Sequence, residues 1–405
     1  MKNRYILVSS LLLSNFLAKP QTNDSISHIK VNKTEVELLY NQYIQDGNNS
    51  AITGGIGTER LSVYGPSFSM KKSFGNNAIN FQLGSDIISS ASTDNIDFVV
   101  SSVSKLDART YTNIGYERIL EKNQITIGGG VGFSIESDYF SFGKFFGISA
   151  SSKNKMQTYS AEFQIFNDDL RWGRINPGYY RPAFLIYPSE LRDQEWYDVV
   201  KRNSYNANLG FSQVINARNV FGISALLSLQ NGLLETPYHR IYFSDGSLAV
   251  EQLPPERRKM AIALKLNSFI KGNLILKNSL SGYSDDFGIH GFSIENETAL
   301  KLNPKWTLHG NARFYSQTAS TFFAPYMEHD VNQNYYTSDY DLSAFNSLRI
   351  GLGVKHSPFK YTKKNKRFDT ATLKYNFYRQ SNSLYAHMMS LSINTTRFKP
   401  KTTTN

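Results

Sequence analysis

Cysteine is absent from the 405 residues. Without a thiol the chain has no disulfide framework, no lipobox for a lipid anchor and no thiolate metal site. Long apolar runs are missing beyond the N-terminus, which excludes a bundle of membrane-spanning helices. The seven histidines include no HExxH or other paired metal spacing, and no cofactor is expected. No dense run of lysine and arginine marks a nucleic-acid arm. The formal charge of +11 is diffuse, and nucleic acid is not expected as a partner.

What the chain does have is alternation. Ile125, Ile127, Val131, Phe133 and Ile135 share one parity, against Thr126, Gly128, Gly130, Gly132 and Ser134. Met260, Ile262, Leu264 and Leu266 alternate with Lys259, Ala261, Lys265 and Asn267; Leu348, Ile350, Leu352 and Val354 alternate with Arg349, Gly351, Gly353 and Lys355. Period-two segments of this kind number about sixteen (roughly 14–16). Polar turns such as Glu121-Lys122-Asn123, Lys153-Asn154-Lys155, Asn216-Ala217-Arg218, Lys271-Gly272-Asn273 and Asn303-Pro304-Lys305 alternate with long stretches at 171–203, 233–257 and 319–345. Short turns at one end and long loops at the other predict an all-β, closed antiparallel transmembrane β-barrel of the outer membrane. Residues 1–18, with Lys2 and Arg4 before an apolar run, read as a signal peptide. Residues 19–33 read as a short periplasmic segment, 34–398 as the barrel and 399–405 as a tail. Expected partners are outer-membrane lipid and lipopolysaccharide, the barrel-insertion machinery and, as an open alternative, an envelope protein.

Folding adjacent strands about their turns places Lys277 opposite Glu297 and Glu295 opposite Arg313, with Lys265 across from Ser279. A charge ladder of Lys265, Lys277, Glu297, Glu295, Arg313 and Arg349 is expected along the inner wall. It serves either as charge satisfaction in a filled barrel or as an anion-preferring constriction. Phe74, Phe269, Trp306 and Phe398 on the turn side, with Phe140, Tyr205, Tyr283 and Tyr315 on the loop side, are expected to form interfacial girdles. Lys144 shares its parity with Phe140, Phe142, Phe146 and Ile148. Either it snorkels towards headgroups or a β-bulge turns it inward.

Few other residues suggest chemistry. The stretch 171–203 concentrates Trp172, Arg174, Tyr180, Arg181 and Trp196, a set suited to a lumen constriction, a mouth cap or a docking surface. Tyr238, His239 and Arg240 form a loop motif in which His239 reads as a packing residue rather than a base. Asp330, Asp339 and Asp341 are weak metal candidates, since carboxylates in such loops more often serve turns and caps. Asp286-Phe287-Gly288 matches the kinase magnesium motif without its Gly-rich loop or HRD partner, and reads as a hairpin tip. Gly128 to Gly130 lie inside a strand, where they clear lumen space or relieve curvature.

The second half carries Thr236-Pro237-Tyr238-His239-Arg240-Ile241-Tyr242-Phe243, then Glu251-Gln252-Leu253-Pro254 and Arg257. Tyr283, Asp285-Asp286-Phe287-Gly288, Phe323-Ala324-Pro325-Tyr326 and Tyr336-Thr337-Ser338-Asp339-Tyr340-Asp341-Leu342 follow. In this combination the chain resembles the domain-of-unknown-function 3570 family, secreted proteins of Gram-negative bacteria, Bacteroidota prominently. The resemblance implies an outer-membrane barrel and supplies no reaction or ligand. One departure is the basic tail after Phe398, where outer-membrane strands commonly end on the aromatic itself. A porin-like channel or docking barrel is the leading expectation and a filled structural scaffold the second. An embedded hydrolase ranks third, and no enzyme is expected.

Overall fold

The computed structural model describes residues 32–90, 106–121, 124–136, 139–170, 201–236, 239–363 and 365–398. Its long strands are β1 (Lys33–Asp46), β2 (Leu61–Phe74), β3 (Asn77–Ser90), β4 (Leu106–Leu120), β5 (Ile125–Glu136), β6 (Tyr139–Ser151), β7 (Gln157–Asp169), β8 (Lys201–Asn216) and β9 (Asn219–Gly232). A short hairpin follows, β10 (Arg240–Tyr242) and β11 (Leu248–Val250). Then come β12 (Glu256–Ile270), β13 (Leu274–Asp285), β14 (His290–Lys301), β15 (Trp306–Gln317), β16 (Phe345–His356), the short β17 (Lys360–Lys363), β18 (Lys366–Gln380) and β19 (Tyr385–Phe398).

Each long strand pairs antiparallel with its sequence neighbours. β9 bridges to β12, β16 bridges to β18, and β1 closes on β19 from Lys33↔Phe398 to Asp46↔Tyr385. The result is a closed sixteen-stranded barrel. Closure leaves no strand edge, which hydrocarbon would penalise by several kcal/mol for each unpaired N–H or C=O. β17 stands outside the ring and pairs with the start of β18.

Two faces follow from the pleat. One carries the exposed apolar side chains, including Leu264, Phe292, Ile294, Phe314, Leu348, Ile350 and Leu352. The other carries side chains that reach past a neighbouring strand: Arg349 on β16 to Glu295 on β14, and Asn311 on β15 to Asn376 on β18. Such convergence belongs to the concave side, so the polar face is the inner wall and the apolar face the outer one.

The two ends are less uniform than the turn lengths suggested. Connections 75–76, 121–124, 152–156, 217–218, 271–273 and 302–305 lie at the end expected to be periplasmic, but so does 357–365, which holds β17. At the opposite end 137–138, 286–289 and 381–384 are also short. The girdle expectation needs correcting too. Phe74, Trp306, Phe140 and Tyr205 stand at outer positions. Tyr283 and Tyr315 share the parity of Glu295 and Arg313 and project into the lumen, where Tyr283 Oη donates to Asp285 Oδ2 at 2.6 Å. Phe269 and Phe398 take inward positions as well, Phe398 beneath the Arg367 guanidinium at 5.2 Å.

Lys144 is settled as outward. β5, β6 and β7 run past it without a register shift, pairing it with Val131 and Ile165. Its ammonium lies 5.0 Å from the centre of the Phe142 ring and 3.5 Å from Asn167 Oδ1. Both contacts partly compensate a charge held on the apolar face. On the inner face, a Cβ at Gly130 would collide with the Phe145 ring and the Ile114 carbonyl. Glycine there lets that ring lie flat against the wall.

Candidate functional site

The inner wall of β12–β18 holds two charged rows. One runs Lys265–Ser279–Glu295–Arg313–Arg349–Tyr378 from strand to strand; the other runs Asn267–Lys277–Glu297–Asn311–Gly351–Asn376. Direct opposition does not decide the ion pairs. Lys277 Nζ binds Glu297 Oε1 at 3.2 Å, but Glu295 takes Arg349 at 2.6 Å, one strand beyond its neighbour Arg313. Arg313 turns upward instead, its guanidinium 5.4 Å from the Tyr315 ring centre. Lys265 makes no hydrogen bond or ion pair with a described residue. Lys277 and Glu297 remain 49% and 32% exposed, so their pair contributes only about 0.2–1 kcal/mol. The pair is therefore a weak brace between β13 and β14.

Sequence reasoning missed part of this wall. Lys301, Lys355, Lys374 and His309 share its inward parity at the turn end, with Lys301↔Thr307↔Lys355 in one row and His309↔Gly353↔Lys374 in the next. On the facing strands two inward ion pairs are matched in charge, while Glu162 has the Gln164 amide as its partner. Lys71 binds Glu117 at 2.6 Å, and Arg202 binds Asp168 at 2.8 Å with side chains only 6% and 3% exposed. Inward parity was the signal for the lysines. For the pairs no short turn gave the register, because β7 and β8 are joined through 170–200 and Lys71 reaches Glu117 across β3, which joins β4 through 91–105.

Above the wall the long connections fold into a cap with its own core. Leu234, Leu253, Phe287, Ile289 and Leu342 are buried together, with Tyr283 and Phe322 packed against them. Phe287, the hairpin-tip phenylalanine, is 1% exposed, and Arg257 stacks 4.4 Å from its ring centre while pairing with Asp285. Isolated bridges Phe243↔His329, Gln252↔Tyr336 and Phe323↔Thr337 stitch the loops together. At the centre Glu251 accepts hydrogen bonds from Thr337 Oγ1 and from the Thr236 N–H at 2.7 Å, and faces His239 Nδ1 at 3.4 Å. Burial disfavours the Glu251 carboxylate, but the His239 ring and these donors outweigh it and hold its pKa below the usual range. Glu235 nearby is pushed the other way, by burial first and by Glu251 second.

His239 and Arg240 are thus structural members of the cap, 4% and 5% exposed; Tyr238 lies outside the described residues. Trp172, Arg174, Tyr180, Arg181 and Trp196 also lie outside them. The aspartates form turns: Asp339 accepts from the Asp341 N–H at 2.9 Å, and Asp330 from the Asn332 N–H at 2.9 Å. Among the described residues no group of three or more His, Asp and Glu side chains is arranged to hold a metal ion.

Comparison with known proteins gives a family and a set of loose structural likenesses. A bacterial polysaccharide outer-membrane secretin superposes with a TM-score of 0.44 at 10% identity, covering 90% of this chain and 98% of its own. OccK1 (OpdK) of Pseudomonas aeruginosa gives 0.40 at 7% identity, covering 90% and 99%. A mutant of the TodX monoaromatic hydrocarbon channel gives 0.41 at 10%, covering 91% and 90%. No curated protein matches in sequence. The family model described as protein of unknown function (DUF3570) matches residues 101–395, and the chain belongs to that family.

Proposed function

We propose that the protein is an outer-membrane, porin-like channel of a Gram-negative envelope, passing small polar solutes with a preference for anions. The supporting observation is the contrast between an apolar outer face and an inner wall lined by Lys265, Lys277, Arg313 and Arg349 with two carboxylates, Glu295 and Glu297. Cations that outnumber anions along a narrow aqueous path attract anions and repel cations. In planar bilayers the full chain is expected to carry steady current with a reversal potential displaced towards the anion. Glu295→Lys should displace it further without loss of insertion. Absence of current from correctly inserted protein would refute the channel.

A filled scaffold is the second reading, favoured by the cap, whose buried core is unusual ballast for an open mouth. It predicts no conductance and a stoichiometric envelope partner after mild detergent extraction. Hydrolysis has less support. The cap does juxtapose His329 Nε2 and Ser338 Oγ at 3.2 Å, but these residues are 0% and 1% exposed, out of reach of any substrate. Burial holds His329 below its ordinary pKa, as suits a packed neutral ring.

A further inference from the structure

Near the turn end of the lumen, Lys301, Lys355 and Lys374 form no hydrogen bond or ion pair with any described residue. They are nonetheless held together. The rows above set Lys301 and Lys355 two strands apart, and Lys374 on the strand beside Lys355. Lys277, Lys301 and Lys374 all lie within electrostatic reach of Lys355. Glycine at 353 makes the approach closer. A Cβ there would sit 2.8 Å from Lys374 Cγ and 3.5 Å from His309 Cβ, so the lysine stem crosses β16 where a side chain would otherwise stand. The carboxylate of Glu297 lies near Lys374 but is already held by Lys277. Both ring nitrogens of His309 are buried without a hydrogen-bond partner, Nδ1 lying 3.8 Å from Glu297 Oε1.

Like charges gathered on a half-buried wall repel one another, and water alone screens them poorly there. Ammonium groups recognise compact oxyanions as point charges, without needing a fixed planar partner. The pairing of Lys277 with Glu297 shows that this surface accommodates a carboxylate. We propose that the Lys301–Lys355–Lys374 patch is a binding station for the oxyanion group of a solute, carboxylate or phosphate, at the periplasmic end of the lumen. As a step in permeation it rests on the channel reading; as a binding site it does not.

The test is calorimetric titration of the full chain in detergent at low ionic strength, with inorganic phosphate and with succinate as separate probes. Saturable binding of at least one is expected, and the tighter of the two identifies the anion class. Lys355→Met combined with Lys374→Met should weaken it by about tenfold or more, while Lys72→Met on the outer face leaves it unchanged. Glu297→Gln removes a competing carboxylate and should tighten binding, a gain that misfolding does not produce. Binding without bilayer current would remove the channel and keep the station. Conductance with no saturable binding of either probe, or a double variant that binds like the original, would overturn the station.

Discussion

Asp168→Ala is expected to destabilise the folded barrel by about 3–5 kcal/mol. Arg202 donates to Asp168 Oδ2 through Nε at 2.9 Å and through its terminal nitrogen at 2.8 Å, and both side chains are almost wholly buried. Tyr139 lies against the same guanidinium, 5.9 Å from ring centre to carbon, so water has little access to replace the lost carboxylate. Removing one partner leaves an uncompensated buried charge, which costs more than the pair itself is worth. Asp168→Leu joined to Arg202→Met should therefore recover much of the loss. Urea unfolding in liposomes, followed by gel mobility of unheated samples, measures both. If the double variant were as unstable as the single one, the pair would be contributing its own binding energy rather than avoiding a penalty.

Leu264→Arg is the second large effect, about 2–4 kcal/mol of barrel stability for a cation placed in the middle of the lipid-facing band. Leu264 is 40% exposed on the outer face, opposite Leu280 and Ile223, both also exposed. Its neighbour Lys265 has the inward parity and no described partner, so Lys265→Leu should change stability by less than about 0.5 kcal/mol. The same unfolding assay separates two adjacent positions. Equal costs at 264 and 265 would mean that neither face meets lipid as described.

These contrasts show what was legible in the sequence. Alternation in Met260–Leu266 and Leu348–Val354 is local, and a turn as tight as Asn303-Pro304-Lys305 leaves essentially one way to lay β14 on β15. Fold and register were therefore readable from short stretches. The aromatic assignments were weaker because Tyr283 and Tyr315 are good strand formers on either face. Their hydroxyls settle the matter by bonding to Asp285 and Gln317 inside the barrel. The cap was illegible for a different reason. Glu251 meets Thr337 across 86 residues, and Phe287 finds Leu234 and Leu253 from one connection and Leu342 from another. No periodicity encodes such encounters. The lysine station was half hidden: alternation gives each lysine its inward face, but not the glycine that lets Lys374 lie over Gly353.

The absence of cysteine makes one measurement especially direct, because any introduced thiol is the only one present. Single cysteines at Ile294, Glu295, Arg313 and Phe314, in chains folded into liposomes, are to be reacted with a charged, membrane-impermeant thiosulfonate. Rapid labelling at 295 and 313, with protection at 294 and 314, is the result required of a water-lined wall backed by lipid. Labelling at 294 and 314 with protection at 295 and 313 would turn the barrel's faces inside out and contradict the account.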